Sequence, residues 1–459
     1  MPSKVPGAPA LSLPKVASEP RSGHRDCKLG AEECCHNCNH RSVRLPLLHM
    51  NHCQVCRKAR SREVKLLLCA ACGERAYCGT ECQKSDWVTH KDNCGQTHRI
   101  SLESYFPFLA YMAELCHLSA IKPVHPASVY KIVNNVNPHV NPIKQPDGWE
   151  SKLVILDDVM GPLPMSARLD DFALQWFPGA ISAPVASKLM RRIAREGYAL
   201  SVVTSVCVAL LAEMYTTSSG KDTDDYRLRF KYKSSPIADF GIATGSAMVP
   251  PVDRLAYYRR SNGEITHGQD PDDHYWLYFT TTRGEDIELD FSMFTFNMCI
   301  TVTTQGYVSP LHAPFARFVP AFFKERIVRQ STPSLHTERA RFSALRNKDM
   351  QRAIMHSAQE IYPCDAKYIF RFMRQANGGR ELTHAEKQMT IANSSKLLSV
   401  LAENLGSRYW QLYPDVPSVG FEGDPGDTNY MHEPGFAAEM EAQKAHSYSR
   451  RKKASVRRR

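Results

Sequence analysis

Read for where its apolar residues fall, the chain divides into stretches of different character. Residues 1–49 are rich in Pro, Ser and Arg and show no sustained apolar period, which predicts a mostly disordered segment. After Ser101, Leu102, Phe106, Leu109, Met112, Ala113, Leu115 and Cys116 recur at helical spacing. Residues 152–156 (KLVIL) read as a short buried strand. Residues 183–196 read as a helix with Pro184 near its start and Gly197 as its stop. Residues 226–233 alternate, with Tyr226, Leu228, Phe230 and Tyr232 on one face. Residues 274–281 and 286–291 are β-rich on either side of Thr-Arg-Gly-Glu, the pattern of a hairpin turn. A further apolar stretch covers residues 293–302. Beyond Pro333 the spacing predicts helices over 334–361, 365–376 and 383–405, the last stopped by Gly406. The pattern thus predicts an α+β body over residues 100–430, followed by a flexible basic tail over 431–459.

Composition narrows the class. The chain has 459 residues, 43% of them hydrophobic and 23% charged, which suits two or three globular units and excludes a wholly disordered or fibrous protein. No apolar run reaches the roughly 18–20 residues that cross a bilayer; the richest, residues 198–214, is broken by Ser201, Thr204, Ser205 and Glu213. The N-terminus lacks the apolar core of a secretory signal, so an intracellular, reducing setting is expected. The net charge of +11 owes seven units to the last eleven residues, so the rest of the chain is nearly balanced. Residues 450–459 fit nuclear import, giving nucleus or cytoplasm as the location, or weak nonspecific polyanion binding. Lys324, Arg326, Arg329, Arg339, Arg341, Arg346 and Lys348 read as a solvated helical face. Gly241-x3-Gly245 reads as a loop without a P-loop lysine.

The cysteines change the picture most. Of fifteen, eleven lie between Cys27 and Cys94, a clustering that argues for metal rather than disulfides in a reducing setting. The spacing is Cys53-x2-Cys56-x12-Cys69-x2-Cys72-x5-Cys78-x3-Cys82-x7-His90-x3-Cys94. Paired ligands separated by two or three residues reach one ion from a tight turn, and two pairs complete a tetrahedron. Four pairs therefore make two closed, structural Zn²⁺ sites within residues 50–97. Upstream, Cys27, Cys34, Cys35 and Cys38 lack a second well-spaced pair, and the better reading is unused thiols rather than a third ion.

Residues 76–94 (AYCGTECQKSDWVTHKDNC), with the two CxxC pairs before them, resemble a MYND-type zinc finger over about residues 53–94. The resemblance implies that the pairs interleave, with Cys53, Cys56, Cys78 and Cys82 on one zinc and Cys69, Cys72, His90 and Cys94 on the other. It implies a helix over residues 80–91 and a protein-interaction role, with proline-containing peptides docking beside Gln83 and Trp87. An indole face suits a proline ring, and a side-chain amide can fix a peptide group.

An enzyme in the body is the alternative. Gly284-Glu285-Asp286 with Leu289-Asp290-Phe291 faintly resembles part of a SET methyltransferase, but the Asn-His-Ser-Cys-x-Pro-Asn element that should precede it is absent. A transglutaminase-like acyl-transfer or hydrolytic site would use Cys207 at the start of an apolar helical run, His274 opening one strand and Asp290 closing the next. Against it, Cys207 sits between Val206 and Val208, the setting of a core thiol. A noncatalytic body is the leading expectation.

Overall fold

The computed structural model describes residues 41–94, 97–136, 141–160, 169–218, 227–308, 317–326, 335–355 and 360–422. The helix Ala199–Met214 (ALSVVTSVCVALLAEM) is apolar on every side, so it needs cover all round. It gets that cover from the helices His384–Gly406 and Leu102–His117 and from one face of a large sheet. Two of its serines are satisfied by backbone carbonyls. Ser205 Oγ donates to the Ser201 carbonyl at 2.8 Å, and Ser201 Oγ donates to the Glu386 carbonyl at 3.3 Å. No single helix among the described residues is long and apolar enough to cross a membrane.

The large sheet runs in the order Phe322–Arg326, Asp286–Asp290, His274–Thr281, Ser235–Ala247, Arg227–Tyr232, Thr97–Ser101. His336–Ser343 pairs with Ser235–Ala247 on the edge opposite the 274 strand. All these pairings are antiparallel except Thr97–Ser101 with Arg227–Tyr232. Alternation along the strands separates two faces. Tyr275, Leu277, Phe279, Ile287 and Leu289 join the central helix in the main core. Their neighbours His274, Trp276, Tyr278, Glu288 and Asp290 take the other face. Gly241 and Gly245 lie inside the Ser235–Ala247 strand rather than in a loop. The 336–343 strand passes so close that a Cβ at either position would run into its carbonyl oxygens, those of Phe342 and Thr337.

A second sheet, Glu264–His267, Leu255–Arg259, Glu150–Val159 and Tyr130–Ile132, carries the helices Leu169–Trp176 and Ala183–Ala194 over a separate core. Pro184 and Gly197 fall where expected: Ser182 caps the second helix, and Gly197 beyond it takes φ 72°. The α+β class is thus as read, and further exceptions to the element pattern follow Leu335. Residues 336–343 form a strand, and the helix that follows covers Lys348–Ala353 alone. Lys324, Arg339 and Arg341 accordingly sit on strands. Arg341 bonds Glu338 at 2.7 Å and Asp286 at 3.0 Å instead of facing solvent from a helix.

Chain on both sides of the cysteine region is paired into this body. Arg41–Val43 pairs with Thr216–Ser218 before it, and Thr97–Ser101 enters the large sheet after it. Glu74 accepts a bond from Thr97 Oγ1 at 3.0 Å and lies 3.9 Å from the Arg99 guanidinium. Cys27, Cys34, Cys35, Cys38 and the basic tail lie outside the described residues.

Candidate metal centre and docking face

Two tight turns open the region. Cys53 N–H donates to the Lys58 carbonyl at 2.9 Å, and Arg57 N–H returns to the Cys53 carbonyl at 3.1 Å. The second turn repeats the first, with Cys69 N–H donating to the Arg75 carbonyl and Gly73 N–H to the Cys69 carbonyl, both at 2.8 Å. The residue four past each leading cysteine needs a left-handed backbone, and Arg57 and Gly73 both have φ 60°. Leu67–Leu68 pairs with Ala76–Tyr77, and the helix Thr80–His90 follows. That helix carries Cys82 near its start and His90 at its end, so one element reaches both groups of ligands.

The eight predicted ligands converge as two sets. Cys53, Cys56, Cys78 and Cys82 form one, and Cys69, Cys72, His90 and Cys94 the other, with ligand atoms in each set within 4.8 Å of one another. Neighbouring atoms stand 3.4 Å (Cys56–Cys78), 3.6 Å (Cys78–Cys82), 3.5 Å (Cys69–Cys94) and 3.3 Å (Cys72–His90 Nε2) apart. Sulfurs bound tetrahedrally at about 2.3 Å to one ion would stand about 3.8 Å apart, so each set needs only slight expansion to hold zinc. The twelve-residue gap after Cys56 is absorbed as a loop in which Ser61 Oγ accepts from the backbone of Glu63 and Val64.

Electrostatics prepare both sets for a cation. Burial disfavours the Cys53 thiolate, but backbone donors at Cys56, Cys78 and Val55 outweigh it and lower the pKa to about 6. Burial likewise opposes Cys69, which the Cys72 backbone and the His90 side chain bring down to about 6. The partners move oppositely. Cys72 is pushed up to about 12 by burial and by the Cys69 charge, and Cys82 to about 12 by hydrogen bonding to Cys78 and Cys53. The thiols of each set are thus linked, and ionising all of them together needs a divalent ion to neutralise their repulsion.

Aromatic roles are divided. Tyr77 is buried at 2% exposure among Cys69 and Cys72, and its hydroxyl donates to Asp86 Oδ2 at 2.7 Å. Trp87 is 47% exposed and touches His90 only edge-on, with ring centroids 6.1 Å apart. Gln83, one turn earlier, is half-buried.

The alternative site is only partly assembled. His274 Nε2 and Asp290 Oδ2 stand 2.5 Å apart, as a His–Asp pair would. Cys207 is not with them. It lies in the middle of its helix rather than at the start, fully buried in the core beneath the sheet, whereas His274 and Asp290 occupy the opposite face. Burial also pushes its thiol pKa up, the reverse of what a nucleophile needs. The pair's other neighbours, His336 and Glu288, escaped the sequence reading. His336 opens a strand whose charged sequence, HTERARFS, reads as helix.

Two closed sets of four Cys/His ligands on knuckle turns and a short helix define residues 53–94 as a zinc-binding module. These residues match the MYND finger family. Comparison with curated proteins and with solved structures gives no match for the chain.

Proposed function

We propose that the finger binds two structural Zn²⁺ ions, one in each set of four, and serves as a docking module for a proline-containing peptide at Gln83 and Trp87. The observation that carries the reading is the split between the two aromatics. A finger this small needs one anchor, and Tyr77 fills that part, which leaves the Trp87 indole half in solvent where packing does not require it. A large, flat and stiff apolar face at low entropy cost is what a proline ring stacks on, and a pre-extended proline segment loses little entropy in docking. Gln83, one turn away on the same helix, supplies an amide for a peptide backbone group.

A proline-peptide array probed with the zinc-loaded full chain tests this. Gln83→Ala should weaken capture at least several-fold while zinc content stays unchanged, and Trp87→Ala should weaken it further. Equal capture by wild type and Gln83→Ala, or no proline-containing ligand for the wild type, rejects the docking role.

A further inference from the structure

On the face of the large sheet turned away from the main core, three buried side chains from three strands meet. His274 Nε2 lies 2.5 Å from Asp290 Oδ2, and His336 Nε2 lies 2.7 Å from the same oxygen. Their side chains are 1%, 0% and 2% exposed for His274, Asp290 and His336. The meeting is built by register. His274 pairs with Gly245 and His336 with Ala247, on opposite edges of the Ser235–Ala247 strand. Opposite the two imidazoles that strand carries Gly245 and Ala247, so nothing larger than a methyl group stands between them. Their rings stack at 5.5 Å and 12°.

The surroundings hold each donor in place. Asp290 Oδ1 accepts from the Ser292 backbone at 2.7 Å, which leaves Oδ2 turned to the histidines. Glu288 Oε2 lies 3.4 Å from His336 Nδ1, so Nε2 is the nitrogen aimed at the cluster. A carboxylate on the far nitrogen of an imidazole is the usual support of a metal-binding histidine. Trp276 stacks on His336 at 4.5 Å, and Phe296 and Phe322 wall off His274 and His336 at 5.6 and 5.9 Å. Trp276 Nε1 is buried with no hydrogen-bond acceptor among the described residues.

Asp290 Oδ2 accepts hydrogen bonds from both imidazoles, and an ion held at about 2.0–2.1 Å would displace those protons and spread the three atoms to about 3.3 Å. From this convergence we infer that His274, Asp290 and His336 form a third metal site, separate from the finger, for a divalent transition ion such as Zn²⁺. Two imidazole nitrogens and one carboxylate oxygen are a borderline donor set that suits zinc and its first-row neighbours rather than Ca²⁺ or Mg²⁺. Three protein ligands leave a coordination position open, unlike the closed sets of the finger. The ion would tie together three strands whose side chains already meet through Asp290.

The test uses the full chain, loaded with excess zinc, desalted, and treated with p-hydroxymercuribenzoate, which strips zinc from thiolate sites but not from a nitrogen–oxygen site. Wild type should keep one zinc per chain after the treatment. Asp290→Asn and His274→Gln should each lower that retention at least tenfold. X-ray absorption of the treated wild type should show a nitrogen–oxygen shell near ~2.0–2.1 Å and no sulfur near ~2.3 Å, a readout that stands even if the variants fail to fold. No retained zinc, retention unchanged in both variants, or a sulfur shell around the retained ion each overturns the assignment.

Discussion

Between Met50 and Cys94 the buried apolar side chains form two small clusters, Met50, Cys53, Leu66 and Ala76 in one and Cys69, Cys72 and Tyr77 in the other. Nearly half of them are thiols. Beneath the large sheet a single core runs instead from Ile100 to Tyr413, filled by aromatic and branched side chains. The difference shows what holds each region. Without its cysteines as ligands the finger has too little apolar area to offset chain entropy, so metal supplies its folding energy. The body buries enough area to fold by packing, and its precision lies in how closely its strands approach.

The largest expected effect breaks the finger alone. Structural zinc contributes on the order of 10 kcal/mol or more to small zinc domains, so chelation or Cys53→Ser should erase amide-exchange protection across residues 53–94. The Ala199–Met214 helix should stay protected in the same sample. Simultaneous loss of both would show that the strands flanking the finger, Arg41–Val43 and Thr97–Ser101, bind the two regions into one cooperative unit.

A second substitution reverses the target. Gly241 sits where a Cβ would run into the Phe342 carbonyl, and backbone cannot yield there as a flexible side chain would. Gly241→Ala should therefore cost about 3 kcal/mol or more in body stability, read as a lower midpoint in thermal or denaturant unfolding. Zinc content should not change. A shift no larger than that of an ordinary surface substitution would mean that the strands part easily and that packing in the body is looser than its burial implies.

The same contrast explains what could be read from the chain. Ligand spacing is a local code, so the cysteines and His90 revealed the finger, its helix and even its interleaved pairing once the family resemblance was in view. Local signals also reveal the helix that starts near Pro184, the hairpin around Gly284 and the long helix that ends at Gly406. Residues 336–343 failed because their strand state comes from pairing with Ser235–Ala247, a partner about a hundred residues away that no local period reports. For the same reason Gly241 and Gly245 passed for a loop. The apolar run at Cys207 places the start of its helix too late, because the true entry at Tyr198 uses a left-handed residue without a capping side chain. His336, the unread member of the His274–Asp290 cluster, became visible only when register brought it beside Ala247.

The smallest expected effect concerns a local signal inside the body, the start of the helix His384–Gly406. Thr383 Oγ1 accepts from the Glu386 backbone at 3.2 Å, and Glu386 Oε2 accepts from the Thr383 backbone at 2.7 Å, closing a capping box. Arg380 adds two bonds to the same carboxylate, at 2.7 and 3.2 Å. Burial works against the Glu386 charge, but Arg380 and the Thr383 donors outweigh it and hold the pKa below its ordinary value. A carboxylate depressed on folding contributes stability that is complete above its unfolded pKa, about 4.3, and that fades as pH falls through the lower folded value. Glu386→Gln keeps a side-chain acceptor but loses the charge. It should cost about 1 kcal/mol at neutral pH, and the gap to wild type should narrow steadily as the solution is acidified below the unfolded pKa. Denaturant midpoints of the two proteins across that range measure it. A gap that stays constant with pH would assign the contribution to the hydrogen bonds alone and remove the charge from the account.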